Sequence, residues 1–293
     1  MFVDIAPFNA MIGLLKYFYL QGILSGVFVD VFRMFDKVAK EKLNVFYCNY
    51  CGSIAVSTAD YAVCDICDLF TSTTQQPSGS TTASIAESIA NHDFKTAASL
   101  SDNLIKENPS TEAIICSAAL YSLYSDSLYF SRDYIKPNGF MEPNALNINE
   151  GITLQHKVKA LLEQARSAYV HKEHNEIDGK GFYVWFLASL WTGKMSSAKK
   201  ILEYIFGSPE SDKYDVYARM LYNIMVNSKD AKKYADTVSG DGIPSSAFYY
   251  SYYLGKLGKS GDASKLLKKL KKVHSSIRYD RLSKELQYAT EIL

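Results

Sequence analysis

Four cysteines carry the most specific chemistry in this chain. They form two pairs, Cys48-Asn-Tyr-Cys51 and Cys64-Asp-Ile-Cys67. Two thiolates separated by two residues can turn over one metal ion, and two such knuckles complete a tetrahedral shell of four sulfurs. That donor set suits Zn2+, which has no competing geometric preference. Four protein ligands leave no open position for water or substrate, so a structural role is expected over a catalytic one. Gly52 follows the first pair, where a residue without a Cβ lets the backbone bend beneath the metal. The expected content is one structural zinc ion held by Cys48, Cys51, Cys64 and Cys67.

The segment between the pairs must position them. Ile54, Val56, Tyr61 and Val63 are strand formers, and Ser57 to Asp60 is turn material. This predicts one small β-hairpin with a knuckle at each base. The motif Cys48-x-x-Cys51-Gly52 with Cys64-x-x-Cys67 resembles the zinc-ribbon family, over residues 46–70. Asp68 stands where a second glycine would be, so the second knuckle is expected to be less regular. A rubredoxin-like iron site, which uses the same four thiolates, has glycine behind both pairs. The resemblance implies nucleic-acid binding, protein docking or a bare structural staple. Asp65 and Asp68 make the knuckles a poor face for phosphate. A fifth cysteine, Cys116, lies in the apolar run Ala113-Ile-Ile-Cys116-Ser-Ala-Ala and reads as a buried, inert thiol. Four cysteines in metal spacing with one left over argue against a disulfide framework and for a reducing compartment.

Composition bounds the rest. The chain has 293 residues, 47% hydrophobic and 22% charged, with a net charge of +1. That is enough apolar material for one or two globular domains. A near-neutral balance argues against a nucleic-acid surface as the main business, because phosphate binding needs clustered Lys and Arg. The 22 tyrosines and 15 phenylalanines are many for this length and suit the packing of helices.

Phe8 to Val29 is strongly apolar, with Lys16 its one charge. No basic stretch precedes it, which counts against a cleaved signal peptide. It is long enough to span a bilayer, and Lys37, Lys40 and Lys42 behind it would then keep the rest in the cytosol. Asn9, Lys16, Asp30, Arg33, Lys37 and Lys40 fall on one side of a helical wheel, which favours an amphipathic helix that is soluble or lies on a surface. The chain is expected to be cytoplasmic, with membrane association through residues 8–29 left open.

Thr71 to Thr82 is polar and low in complexity, and residues 71–83 read as a flexible linker. Ser84 with Glu87 three residues on is a capping-box pattern that would open the first helix behind it. From residue 84 to 293 the pattern is helical, and it repeats. His92-Asp-Phe-Lys-Thr-Ala97, Gly193-Lys-Met-Ser-Ser-Ala198 and Gly258-Lys-Ser-Gly-Asp-Ala263 each place a small residue just after a turn. Ala231 falls between the last two, and Ala165 and Ser131 continue the spacing backwards. This resembles the tetratricopeptide repeat family, with Ala97, Ala198, Ala231 and Ala263 at the small position and Gly193 and Gly258 at the turn. Pro109 and Pro209 stand near the family's closing proline. The first-helix Trp and Tyr of the family are mostly missing, so the reading is tetratricopeptide-like. Tyr134 to Gly151, rich in Asn, interrupts one unit as a long loop.

Such a resemblance implies a stacked solenoid with a groove that binds another protein. Tyr121, Tyr124, Phe182, Trp185, Tyr217, Tyr222, Tyr249, Tyr250 and Tyr253 are candidates for groove or core. Lys265 to Arg281 is rich in lysine over Leu266, Leu267 and Leu270, which makes a solvated face or a dock for an acidic tail or anionic lipid. His171 and His174 lack the HExxH pattern of a metal helix, and Gly258-Lys259-Ser260 lacks the first glycine and the strand of a P-loop. The expectation is a mainly α protein: residues 1–45 an apolar N-terminal helix, 46–70 a zinc ribbon, 71–83 a linker and 84–293 helical repeats. Its expected function is a non-enzymatic protein-interaction scaffold. The alternatives are a nucleic-acid-associated zinc-ribbon factor and a membrane-anchored assembly factor.

Overall fold

The computed structural model describes residues 43–78, 80–129, 145–206, 212–240, 243–274, 276–280, 282–283 and 286. The apolar segment Phe8–Val29 lies outside them, as does Ser131. Among the described residues no helix is long and apolar enough to cross a membrane. The fold is mainly α: four short strands are followed by ten α-helices among the described residues.

The strands pair differently from the single hairpin expected. β1 (Asn44–Tyr47) pairs with β2 (Ile54–Ser57), and β3 (Ala62–Val63) pairs with β4 (Phe70–Thr71). Each cysteine pair therefore sits in the turn of its own hairpin. A CxxC turn reverses the chain by itself, so the nearest partner for β2 is the strand entering the same knuckle. The Ser57–Asp60 segment closes no hairpin between β2 and β3. It folds back on β1 instead: the Asn44 side-chain amide donates to the Ala59 carbonyl (3.3 Å), and the Ala59 N–H donates to Ser57 Oγ (3.0 Å).

The polar run that follows is tied to β1 at its start. Thr71 Oγ1 donates to the Tyr47 carbonyl (2.7 Å), and the Tyr47 N–H donates to the Thr73 carbonyl (2.7 Å). The first helix, α1 (Thr81–Ala90), starts three residues before Ser84. Its cap is Ser80, whose hydroxyl accepts from the Ala83 N–H, and Ser84 is already inside the helix. The capping-box reading of Ser84 fails because Thr82 and Ile85 are both buried, and that packing extends the helix toward its N-terminus.

The chain divides into two compact units. The first comprises Phe46–Ala55 and Val63–Pro209. It contains α1, α2 (Phe94–Glu107), α3 (Thr111–Tyr129), α4 (Ala145–Val170), α5 (Gly179–Trp191) and α6 (Met195–Phe206). There α1 packs on α2, α3 on α4 and α5 on α6, while α2–α3 and α4–α5 contacts join the pairs. The second unit includes Val56–Ala62 and Glu210–Leu293. It contains α7 (Asp212–Met225), α8 (Ala231–Gly240), α9 (Ser245–Lys256) and α10 (Ser260–Val273), with α7 on α8, α9 on α10, and α8–α9 and α7–α9 contacts between the pairs.

Four helix pairs share one turn. His92, Gly193, Asn227 and Gly258 all have positive φ, between 55° and 76°. Around each, three successive N–H groups bond to carbonyls four, three and five residues back, as Thr192 to Ala188, Gly193 to Leu190 and Lys194 to Ser189 do. This is a Schellman-type stop, which satisfies the orphan carbonyls of a helix end and turns the chain sharply. Four or five residues beyond the left-handed residue stands a fully buried alanine: Ala97, Ala198, Ala231 or Ala263. A side chain this small lets the two helices approach, and a larger one there would overpack the crossing by about 1–3 kcal/mol. Asp93 and Asp178 accept from the N–H groups of Thr96 and Gly181 and so start α2 and α5.

One further expectation changes. Ala145–Gly151, read as part of a long loop, forms the first turns of α4. Asparagine is tolerated there because the helix is carried by the packing of Leu154, Leu162 and Ala165 further along. Of the candidate groove aromatics, Tyr121, Tyr124, Phe182, Tyr217, Tyr249, Tyr250 and Tyr253 are buried, and Trp185 and Tyr222 are half-buried. They fill cores. Along α10, Leu266, Leu267 and Leu270 point inward, Lys265, Lys268 and Lys272 are exposed, and Lys271 pairs with Asp280.

Candidate metal centre

The two knuckles are built alike. In the first, the Gly52 N–H donates to the Cys48 carbonyl (2.9 Å) and the Cys48 N–H to the Ser53 carbonyl (3.0 Å). In the second, the Asp68 N–H donates to the Cys64 carbonyl and the Cys64 N–H to the Leu69 carbonyl, both at 2.9 Å. Gly52 has φ +66° and Asp68 has φ +59°. The irregular second knuckle expected from the missing glycine does not occur. Asp68 takes the left-handed conformation that aspartate tolerates better than most side chains.

The hairpin turns aim all four sulfurs at one point. Cys48 and Cys67 lie 3.6 Å apart, Cys51 and Cys64 3.5 Å, and the four sulfurs all fall within 4.8 Å of one another. Each close pair takes one sulfur from each knuckle. These separations are far beyond a disulfide bond, and all four cysteines are free thiols. A tetrahedral metal–thiolate site with bonds of about 2.3 Å has sulfur–sulfur edges of about 3.8 Å. The group therefore fits one metal ion with only small inward or outward adjustment. Among the described residues no other group of His, Cys, Asp and Glu side chains meets the requirements of a metal site. His171 is exposed, and His174 lies against the Tyr204 ring at 3.9 Å between centroids.

The site is dry. No ligand cysteine exposes more than 2% of its surface. Contact with Cys116 and Cys48 draws the Cys51 thiol down to about 6, while burial and the neighbouring sulfurs push Cys67 well up and contact with Cys48 raises Cys64. Four buried thiolates cannot coexist without a counter-charge, so the group must hold either protons or a cation. Metal loading therefore displaces protons, and the metal is held less tightly as pH falls. The Ile66 N–H donates to Cys64 Sγ at 3.4 Å.

Helices of the first unit close over the knuckles. A Cβ on Gly52 would stand 2.8 Å from Ala86 Cβ and 2.9 Å from the Thr82 carbonyl oxygen, so α1 presses directly on the first knuckle. From α5, the Tyr183 hydroxyl donates to the Asp68 carbonyl at 2.6 Å, and its ring meets Phe70 edge-on at 5.1 Å. On α3, Cys116 is fully buried, and interaction with Cys51 pushes its thiol well above the ordinary range. It is buried, as expected, but its interaction with Cys51 was not legible from its apolar neighbours. Nor was Tyr183, which is 115 residues from the carbonyl it serves. Tyr183→Phe should cost about 1–3 kcal/mol in urea unfolding, because it leaves that buried acceptor without its donor. Unchanged stability would show that the hydroxyl holds nothing in place.

No family model, no curated protein and no solved structure matches the chain.

Proposed function

We propose that the chain is a non-enzymatic interaction scaffold: tetratricopeptide-like helical hairpins that bind another protein, with one zinc ion as a structural staple. The observation that carries the reading is the fourfold recurrence of one turn with a buried alanine behind it. A hairpin of this kind cannot bury its own apolar faces, so like units cover one another and leave an extended surface for a partner. Zinc is the favoured metal because four buried sulfurs leave no exposed edge for electron transfer and no vacant position for substrate.

The test is affinity capture with the zinc-loaded full-length chain, followed by titration of the purified partner. Saturable one-to-one binding of a protein, unaffected by nuclease, is the expected result. Recovery of nucleic acid alone, with affinity falling steeply as salt rises, would overturn the scaffold in favour of a nucleic-acid factor.

A further inference from the structure

We propose that α10 is a docking face for an anionic lipid surface, carried by the lysine stripe Lys265, Lys268 and Lys272. The three stand at positions i, i+3 and i+7, on one side of the helix and about 10 Å from first to last. All three are exposed, and Lys269 beside them is half-buried. The opposite side belongs to the core: Ala263, Leu266, Leu267 and Leu270 are fully buried.

A merely solvated face has no need of this pattern. Lysines three and four residues apart repel, and an ordinary exposed face intersperses acids among them. Elsewhere in the chain that is what is found: Arg166 pairs with Glu163, Arg219 with Asp215 and Lys232 with Asp236, each within about one turn of its own helix. On α10, Asp262 is the one acid, and Lys271 takes Asp280 from beyond the helix. Lys265, Lys268 and Lys272 form no ion pair with any described residue. Positive charge is also concentrated around them in the sequence. The whole chain has a net charge of +1, yet residues 210–293 hold 15 Lys and Arg against 10 Asp and Glu. A run of like charge kept on a well-packed helix breaks a local rule, and a partner that supplies the missing sign accounts for it.

The chemistry of the stripe selects that partner. α10 has five lysines and no arginine. The planar fork of arginine suits the fixed geometry of a carboxylate or a base edge, whereas an ammonium is a hydrated point charge on a flexible stem. Nor does α10 carry an aromatic ring on which a base could stack. Its leucines are already buried, so they are not available for insertion. What remains is attraction to a smooth field of negative charge. An anionic lipid leaflet provides such a field, and each lysine near it contributes separately.

The full-length chain is mixed with vesicles of phosphatidylcholine alone, or of phosphatidylcholine with phosphatidylserine, and the bound fraction is read by sedimentation. Binding is expected to the phosphatidylserine vesicles only, and it should weaken as salt rises. Lys265→Gln, Lys268→Gln and Lys272→Gln should each weaken it about fivefold, and the triple variant about a hundredfold. A second triple variant, Lys159→Gln with Lys199→Gln and Lys200→Gln, removes the same charge from exposed lysines of α4 and α6. It should bind within about twofold of the parent, because those helices are not part of the stripe. Both triple variants should keep the parent's urea midpoint; should the α10 variant lose stability, its three single variants carry the test. Equal losses of binding in the two triple variants would show that net charge and not α10 sets the affinity, which overturns the proposal. Equal binding to neutral and anionic vesicles, or no binding to either, overturns it as well. So does tighter binding of duplex DNA or polyglutamate than of the phosphatidylserine vesicles.

Discussion

Replacing Cys48 and Cys64 by serine is expected to abolish the binding of about one equivalent of zinc and to unfold the first unit. The size of the effect follows from what the metal holds. A structural zinc site contributes on the order of 10–16 kcal/mol at neutral pH, as much as the whole stability of a typical domain at about 5–15 kcal/mol. Here the knuckles are not a detached module whose loss the helices would ignore. They lie under α1, and their Asp68 carbonyl accepts from the Tyr183 hydroxyl of α5. Without the ion, Cys51, Cys64 and Cys67 remain a knot of buried thiols with conflicting protonation demands. Metal analysis and amide hydrogen exchange over residues 46–129 read the outcome. Exchange protection of α1 and α3 that survives both substitutions would show that the metal supports only the hairpins.

The second large effect is expected at Gly52. Gly52→Ala places a methyl group 2.8 Å from Ala86 Cβ and 2.9 Å from the Thr82 carbonyl, neither of which can swing aside. It also forces a side chain to adopt φ +66°. The conformational part costs about 1–2 kcal/mol and the overpacking about 1–3 kcal/mol, so the total loss is about 2–5 kcal/mol. Gly193 is the natural control. Its φ is +76° but nothing lies within 4 Å of an added Cβ, so Gly193→Ala should show the conformational part alone. Ala86→Gly should recover part of the loss at Gly52 and none at Gly193. Equal losses in urea unfolding for the two glycine variants would mean that α1 does not bear on the first knuckle.

The helix pairs were legible because a Schellman turn and the small residue behind it are local devices. Gly193 and Gly258 announce it openly. His92 and Asn227 perform the same turn without glycine, and only the recurrence of Ala97 and Ala231 at the matching offset marked their units. Misreadings arose where packing overrode a local signal. Ser84 with Glu87 is a better capping pattern than Ser80, yet burial of Thr82 and Ile85 starts the helix earlier. Residues 54–63 have the composition of a hairpin, yet each knuckle turns its own strands together. The aromatic residues carried no mark separating groove from core, because a tyrosine at helical spacing looks the same on either side.

Sequence alone determined the four-sulfur group and the repeated helical hairpins. Both depend on spacings of a few residues, over which backbone geometry leaves little choice. Tertiary structure alone decided that the knuckles are built into the helical unit, with Ala86 over Gly52 and Tyr183 bonded to Asp68. Those contacts arise from the fit of surfaces distant in the chain, and no spacing encodes which helix face will meet which turn.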